Sequence, residues 1–292
     1  MSSESICPAC GDKINSKYSN KFSISKGDRE NEVWLYCLNC KSYFRIKKFS
    51  EEEEKKYHLL KTDWGKFGGE DYGKKRDRLL TSIIELIIKF APPPRNILDV
   101  GCNYGGFLLK AREKGYLTEG YELLPEAVKY GQSLGLNIHC HSTSKSLVAE
   151  NSSFDIITCL DVNYYWKNQK SEISHLIKLL KINGLLLMKV VDKSWMIKIG
   201  LFMKRLIPHL SNKILNRAVG NHYFSMPVKS LIKMLQKYDM SIIYISANRS
   251  IQSHDSPFMV KTFFHLGQFF WKIFGFTISP GWIIIAKKTD TI

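Results

Sequence analysis

Asn96-Ile97-Leu98-Asp99-Val100-Gly101-Cys102-Asn103-Tyr104-Gly105-Gly106 decides how this chain is read. Its first five residues are a short, mostly apolar run of strand type, the glycines mark a loop, and Phe107 to Lys114 continues at helical spacing. A strand, a glycine loop and a helix in that order make a ligand crevice at the carboxyl end of a parallel sheet. Glycine lacks a Cβ, so the backbone of such a loop can come close to a bound molecule. A second strand, Leu117 to Tyr121, ends at Glu122, where a carboxylate can accept hydrogen bonds from both hydroxyls of a ribose.

Two details argue against a dinucleotide. The loop reads GxNxGG rather than GxGxxG and provides poorly for the close approach of a pyrophosphate. Asp99 stands two places before the first glycine, where its charge repels a phosphate but suits a sulfonium ligand with an amino group. The stretch from Ile97 to Gly131, ILDVGCNYGGFLLKAREKGYLTEGYELLPEAVKYG, resembles the nucleotide-binding half of the class I S-adenosylmethionine-dependent methyltransferases. Ser153 to Asp161 resembles the fourth strand of that family, and Leu180 to Met188 its turn into the fifth. The likeness in order and spacing runs from about 96 to 292.

The resemblance implies an α/β fold, Rossmann-like and doubly wound, with a seven-stranded and mostly parallel sheet. It implies that Asp99, Gly101 and Gly105 shape the pocket for the methionine part of S-adenosylmethionine, with Cys102 and Asn103 in the same loop. Glu122 would hold the ribose, Leu123 would flank the adenine and Asp161 would line the methyl-transfer face. Asn103 stands where glycine is more common, which predicts a wider loop there. The rival reading of the same residues is a non-catalytic scaffold that binds S-adenosylmethionine.

Methyl transfer from a sulfonium depends on holding the acceptor in line with the methyl group, and a base is needed only when the acceptor starts protonated. This half most resembles the small-molecule, sugar and lipid methyltransferases related to ubiquinone-type enzymes, which often carry a histidine shortly after the aspartate of the fourth strand. Here the stretch reads Asp161-Val162-Asn163-Tyr164-Tyr165-Trp166, with Tyr165 at the histidine position. His222 lies in a segment that resembles an acceptor-facing loop. The candidate catalytic residues are therefore His222, Tyr165 and Asp161. His222 also suits a helix entry that satisfies local backbone groups, and Tyr164 to Trp166 suit either an aromatic wall or ordinary packing.

Ahead of this half, Cys7-Pro-Ala-Cys10 and Cys37-Leu-Asn-Cys40 are two CxxC knuckles. Each turns both sulfurs to one point, and two such points make the tetrahedral thiolate shell that zinc prefers. Tyr18 to Ser25 and Val33 to Tyr36 alternate like strands around Lys26-Gly27-Asp28, which completes the pattern of a zinc ribbon. Cys7, Cys10, Cys37 and Cys40 are thus candidate ligands of a structural Zn(2+), because four thiolates leave no open position for chemistry. Cys102, Cys140 and Cys159 stand at apolar, strand-like positions where core packing is expected.

The expected organisation is a zinc ribbon over 1–48, a helical connector over 49–94 and a methyltransferase domain over 95–292 with a helical insertion at about 193–220. Ser50 and Glu53 form a helix-start capping box, and the apolar spacing from Leu79 to Phe90 follows the glycine-rich break from Gly65 to Gly73. Trp282 to Ala286 reads as the last strand. The chain of 292 residues carries a net charge of +16, so anionic partners are expected. Two stretches, Trp195 to Gly220 and Lys261 to Phe276, mix apolar with basic residues, which suits an interfacial helix on anionic lipid as well as a cap over the site. The start is polar and no apolar run is long enough to span a membrane, which predicts a cytoplasmic protein, peripheral at the membrane if either stretch is exposed. A small-molecule, sugar or lipid-linked acceptor is the preferred reading. An RNA methyltransferase is the alternative, since positive charge and a zinc ribbon both suit phosphate backbones.

Overall fold

The fold is seen in a computed structural model that describes residues 5–14, 20–25, 32–46, 52, 69–141, 143–144, 153–220, 222–247, 258–274 and 281–290. Ser50, Glu53 and the turn at Lys26 to Asp28 lie outside the described residues. At the N-terminal end each knuckle joins two strands. β1 (Ser5–Ile6) and β2 (Lys13–Ile14) pair antiparallel around the first. β3 (Asn20–Ile24), β4 (Glu32–Tyr36) and β5 (Tyr43–Arg45) form an antiparallel sheet with the second knuckle between β4 and β5.

The long helix α1 (Gly69–Phe90) buries Leu79, Leu80, Ile83, Ile84 and Ile87, the stripe that helical spacing predicts. It begins inside the expected glycine-rich break. Gly69 and Gly73 are helical, because glycine costs a helix only about 1 kcal/mol and the buried stripe downstream outweighs that. Pro92 to Pro94 then stop the helix, since proline has no amide proton to continue it.

A doubly wound unit follows: β6 (Asn96–Val100), α2 (Gly106–Glu113), β7 (Leu117–Glu122), α3 (Pro125–Ser133), β8 (Asn137–Cys140), β9 (Phe154–Leu160), α4 (Gln169–Leu179) and β10 (Leu180–Val191). The chain continues through α5 (Ser194–Met203), α6 (Pro208–Val219), β11 (Phe224–Ser225), α7 (Val228–Gln236), β12 (Met240–Ala247), α8 (Phe258–Phe274) and β13 (Gly281–Lys288). The seven-stranded sheet has the order β12-β13-β10-β9-β6-β7-β8. β8, β7, β6, β9 and β10 run parallel, whereas β13 is antiparallel to both β10 and β12. This is the Rossmann-like sheet predicted from the sequence. Winding reverses between β6 and β9, so the crevice opens at their carboxyl ends.

Two cores flank the sheet. One holds the α1 stripe with Phe107, Leu108 and Ile138. The other joins Ile157, Leu176, Leu186 and Trp282 to Cys7, Ala9, Leu35, Cys37 and Phe44 of the cysteine-bearing segment. β11 completes that junction, because it pairs with β5 and becomes the fourth strand of the N-terminal sheet. A third cluster packs Phe22, Ile24, Trp34 and Tyr43 against Ile197, Leu215, Ala218 and Val219 of the α5–α6 hairpin. Among the described residues no helix is long and apolar enough to cross a membrane.

Candidate active site

The loop between β6 and α2 is built on two glycines whose geometry no other residue reproduces. Gly101 has φ 69°, and a Cβ there would lie 2.7 Å from Val162 Cγ2. Gly105 has φ 81°, and its Cβ would lie 2.3 Å from Leu136 Cδ1. Asn103 is left-handed at φ 53°, a region that asparagine tolerates, and its Oδ1 accepts the Tyr104 amide at 2.9 Å. Asparagine can therefore stand where glycine is more common. Cys102 is buried in the core with its thiol over Gly120, so it borders the crevice by its backbone.

Glu122 closes the crevice from the end of β7. Its Oε2 accepts the Asn103 amide at 2.9 Å, and its Oε1 accepts the amides of Leu123 at 2.7 Å and Leu124 at 3.1 Å. Asp99 lies below the loop, 3% exposed. Burial pushes its carboxyl up to about 7, the Thr158 hydroxyl at 2.6 Å and the Arg76 charge pull it back, and Glu122 adds to the rise. Arg76, one helical turn before Leu80 on α1, is a charge acting on Asp99 that the sequence reading missed. The crevice suits a cationic ligand, because positive charge beside Asp99 would favour its ionised form.

Asp161 follows β9 in a left-handed conformation, φ 59°. Its amide donates to the Lys189 carbonyl at 2.9 Å, and its Oδ2 pairs with Lys189 Nζ. Lys189 is 4% exposed on β10, and Asp161 Oδ1 is buried with no hydrogen-bond partner among the described residues. An orphaned acceptor of this kind fits a ligand that carries an amino group. Lys189 was visible in the sequence as a lone cation inside the apolar run Leu185 to Val191, which calls for an acidic partner.

Beyond Asp161, the 3₁₀ turn Asn163–Tyr165 brings an aromatic cluster to the same edge of the sheet. The Tyr164 and His222 rings stack with centroids 3.9 Å apart, and Tyr165 meets His222 edge-on at 5.8 Å. His222 donates its amide to the Val219 carbonyl, so a local backbone role and a place in the cluster coexist. Trp166 is packed in the main core, which leaves Tyr164, Tyr165 and His222 as the aromatic group. Asp192 went unread. It is 1% exposed at the end of β10, where it accepts the Ser194 amide and hydroxyl and the Val228 amide. An aspartate two places before a serine at a helix start was the available signal. Cys140 corrects a sequence expectation, since it is exposed at the end of β8, an edge strand, while Cys102 and Cys159 are buried.

The four N-terminal thiols converge. Cys7 and Cys40 sulfurs are 3.5 Å apart, Cys10 and Cys37 sulfurs 3.6 Å, and all four lie within 4.8 Å of one another. A disulfide needs about 2.05 Å. A tetrahedral shell with metal–sulfur bonds of about 2.3 Å has edges of about 3.8 Å, so the donor set fits one. The two knuckles share a turn: Gly11 donates its amide to the Cys7 carbonyl and Lys41 to that of Cys37, both left-handed at φ 81° and 58°.

A family model described as a methyltransferase domain matches residues 72–245. Comparison with curated proteins by sequence finds no match. Among solved structures, magnesium protoporphyrin IX methyltransferase from Synechocystis PCC 6803 with bound SAH aligns with TM-score 0.57 at 14% identity, over 82% of this chain and 100% of that one. The PH0226 protein from Pyrococcus horikoshii OT3 aligns with TM-score 0.52 at 12% identity, over 80% and 99%. A SAM-dependent methyltransferase from Archaeoglobus fulgidus aligns with TM-score 0.50 at 17% identity, over 80% and 100%. At these identities the likeness is one of fold. The family match spans more than half the chain and takes in both the glycine loop and Asp161, so the protein belongs to the methyltransferase-domain family as an S-adenosylmethionine-dependent enzyme.

Proposed function

We propose that the protein methylates a small-molecule, sugar or lipid-linked acceptor seated against Tyr164, Tyr165 and His222. The observation that carries this reading is the stacked Tyr164–His222 pair, set beside the Asp161 end of β9. Asp99, Gly101, Cys102, Asn103, Gly105, Glu122 and Leu123 form the cofactor crevice in this reading, with Asp161 between donor and acceptor. When bound, S-adenosylmethionine supplies a sulfonium methyl group that an acceptor lone pair takes, leaving S-adenosylhomocysteine. His222 takes the proton that the acceptor releases, and Tyr165 packs the acceptor into line.

The cysteines hold a structural zinc, whose four thiolates leave no open position for chemistry. The enzyme works in the cytoplasm, against an anionic membrane surface. Support for the membrane comes from the α5–α6 hairpin, where Phe202 is 75% and Leu206 70% exposed beside Lys204 and Arg205. No Asp or Glu stands between Asp192 and Asp239.

Titration calorimetry with S-adenosylmethionine tests the donor side. Wild type is expected to bind, and Glu122→Ala to lose at least tenfold in affinity with its circular dichroism unchanged. No binding by the zinc-loaded protein sinks the donor reading. A radiolabelled methyl-transfer assay on fractionated cell extract tests the acceptor. Label in lipid, saccharide or low-mass fractions supports the proposal, label in RNA overturns it, and binding without transfer identifies a scaffold.

A further inference from the structure

A chain of hydrogen bonds leads from each cysteine knuckle to the 3₁₀ turn Asn163–Tyr165. From the first knuckle, the Pro8 carbonyl accepts the Lys170 amide at 3.0 Å in the first turn of α4. The adjacent Gln169 side chain, fully buried, donates to the carbonyl of Asn163, the first residue of the 3₁₀ turn. From the second knuckle, Cys37 donates its amide to the Ser42 carbonyl at 2.9 Å, and β5 begins one residue later. β5 pairs with β11, Phe44 opposite Phe224 and Tyr43 opposite Ser225. Arg45 then donates its amide to the Tyr223 carbonyl at 2.9 Å, and Tyr223 donates its own to the Tyr164 carbonyl at 3.0 Å. The two routes meet on neighbouring residues of one turn, the turn that carries Tyr164 and Tyr165.

Cys7, Ala9 and Cys37 share one apolar core, but the polar contacts described between the knuckles are few: the S–H contacts between Cys7 and Cys40 and between Cys10 and Cys37, and a side-chain hydrogen bond from Asn39 to Asp12 at the exposed surface. Thiol–thiol hydrogen bonds are weak. A metal bound by all four sulfurs would convert them into one rigid body. Among the described residues no backbone hydrogen bond joins the donor crevice to either knuckle: Asp99, the Gly101 to Gly105 loop and Glu122 bond to β7, Thr158 and one another.

We propose that the cysteine ribbon is a positioning element of the acceptor site: with metal bound, it clamps the Asn163–Tyr165 turn and the Tyr223–Ser225 strand together, and so sets the Tyr164–His222 stack. Metal loading then governs the acceptor side and leaves the donor side alone. The inference rests on the acceptor reading given above.

The test uses the full chain, zinc-loaded, chelator-stripped and reconstituted, read by hydrogen exchange and by proton NMR of the imidazoles. Stripping is expected to speed exchange at least tenfold in 222–226 and 163–166, with 97–101 unchanged. Stacking on Tyr164 shifts the His222 ring protons, which are assigned with His222→Gln. That shift is expected to collapse on stripping and to return with zinc, while S-adenosylmethionine affinity stays within twofold. Exchange in 222–226 and a His222 shift that both stay put after zinc is removed overturn the proposal. So does equal loss of protection in 97–101, which would make the metal a global fold determinant. Methyl transfer that survives Tyr164→Ala and His222→Ala would sink the acceptor reading instead, and the exchange result would still stand on its own.

Discussion

At the scale of single residues, the buried Asp99 makes stability depend on pH. Burial pushes its carboxyl up from the ordinary value near 4 to about 7 in the folded protein. The proton it holds in between favours the fold, a contribution present in full below pH 4 and lost as pH rises through about 7. Asp99→Asn is therefore expected to stabilise the ligand-free protein at pH 8 by about 2–4 kcal/mol and to leave it nearly unchanged at pH 4, as read by urea denaturation. The same logic makes S-adenosylmethionine bind more tightly at pH 8 than at pH 6, by up to about tenfold per unit below pH 7. Affinity that is flat across that range would remove Asp99 from the cofactor site. The strands that carry Asp99 and Glu122 were legible because each is a local pattern, one running into glycines and one ending on a carboxylate. Lys189 could be noticed but not paired, since the backbone turn that brings Asp161 to it is set by the sheet register between β9 and β10.

At the scale of elements, Asp192 is the pin for two helices. One carboxylate holds the start of α5 through Ser194 and the start of α7 through Val228. Asp192→Ala leaves buried donors without acceptors, which is expected to cost about 2–4 kcal/mol, reduced by the release of a buried carboxyl. Denaturant midpoints of Asp192→Ala and Asp192→Asn measure it, with the asparagine variant retaining more than half of the stability. A loss below about 0.5 kcal/mol in the alanine variant would refute the pinning. The helix from Leu79 to Ile87 was plain in the sequence because it carries a long periodic signal, and the α5–α6 insertion was read from its mixture of apolar and basic residues. β11 was not. Two residues cannot display an alternation, and their partner β5 lies far away along the chain.

At the scale of the whole molecule, net charge and exposed apolar surface fall on the same region. The α5–α6 hairpin exposes Phe202 and Leu206, and its base is held by Phe22, Ile24 and Trp34, so the tip projects from a rigid support. Phe202→Ser with Leu206→Ser is expected to lower flotation on anionic liposomes at least tenfold, since burying either side chain contributes about 1.5–3 kcal/mol. Equal flotation of wild type and variant would exclude this face. The broad architecture was legible from sequence: a cysteine-rich start and an α/β body. Their fusion through β5, β11 and the shared core was not, because it is made of contacts between distant segments. The order of the sheet bears on biosynthesis as well. β13 is translated after β10 and β12 yet lies between them. While the nascent chain is being made, both neighbours present open edges, the kind of surface that invites pairing with other chains. Chaperone dependence and yield should therefore be decided in the interval before β13 emerges, and a substitution that slows its insertion should reduce soluble protein before it alters the finished enzyme.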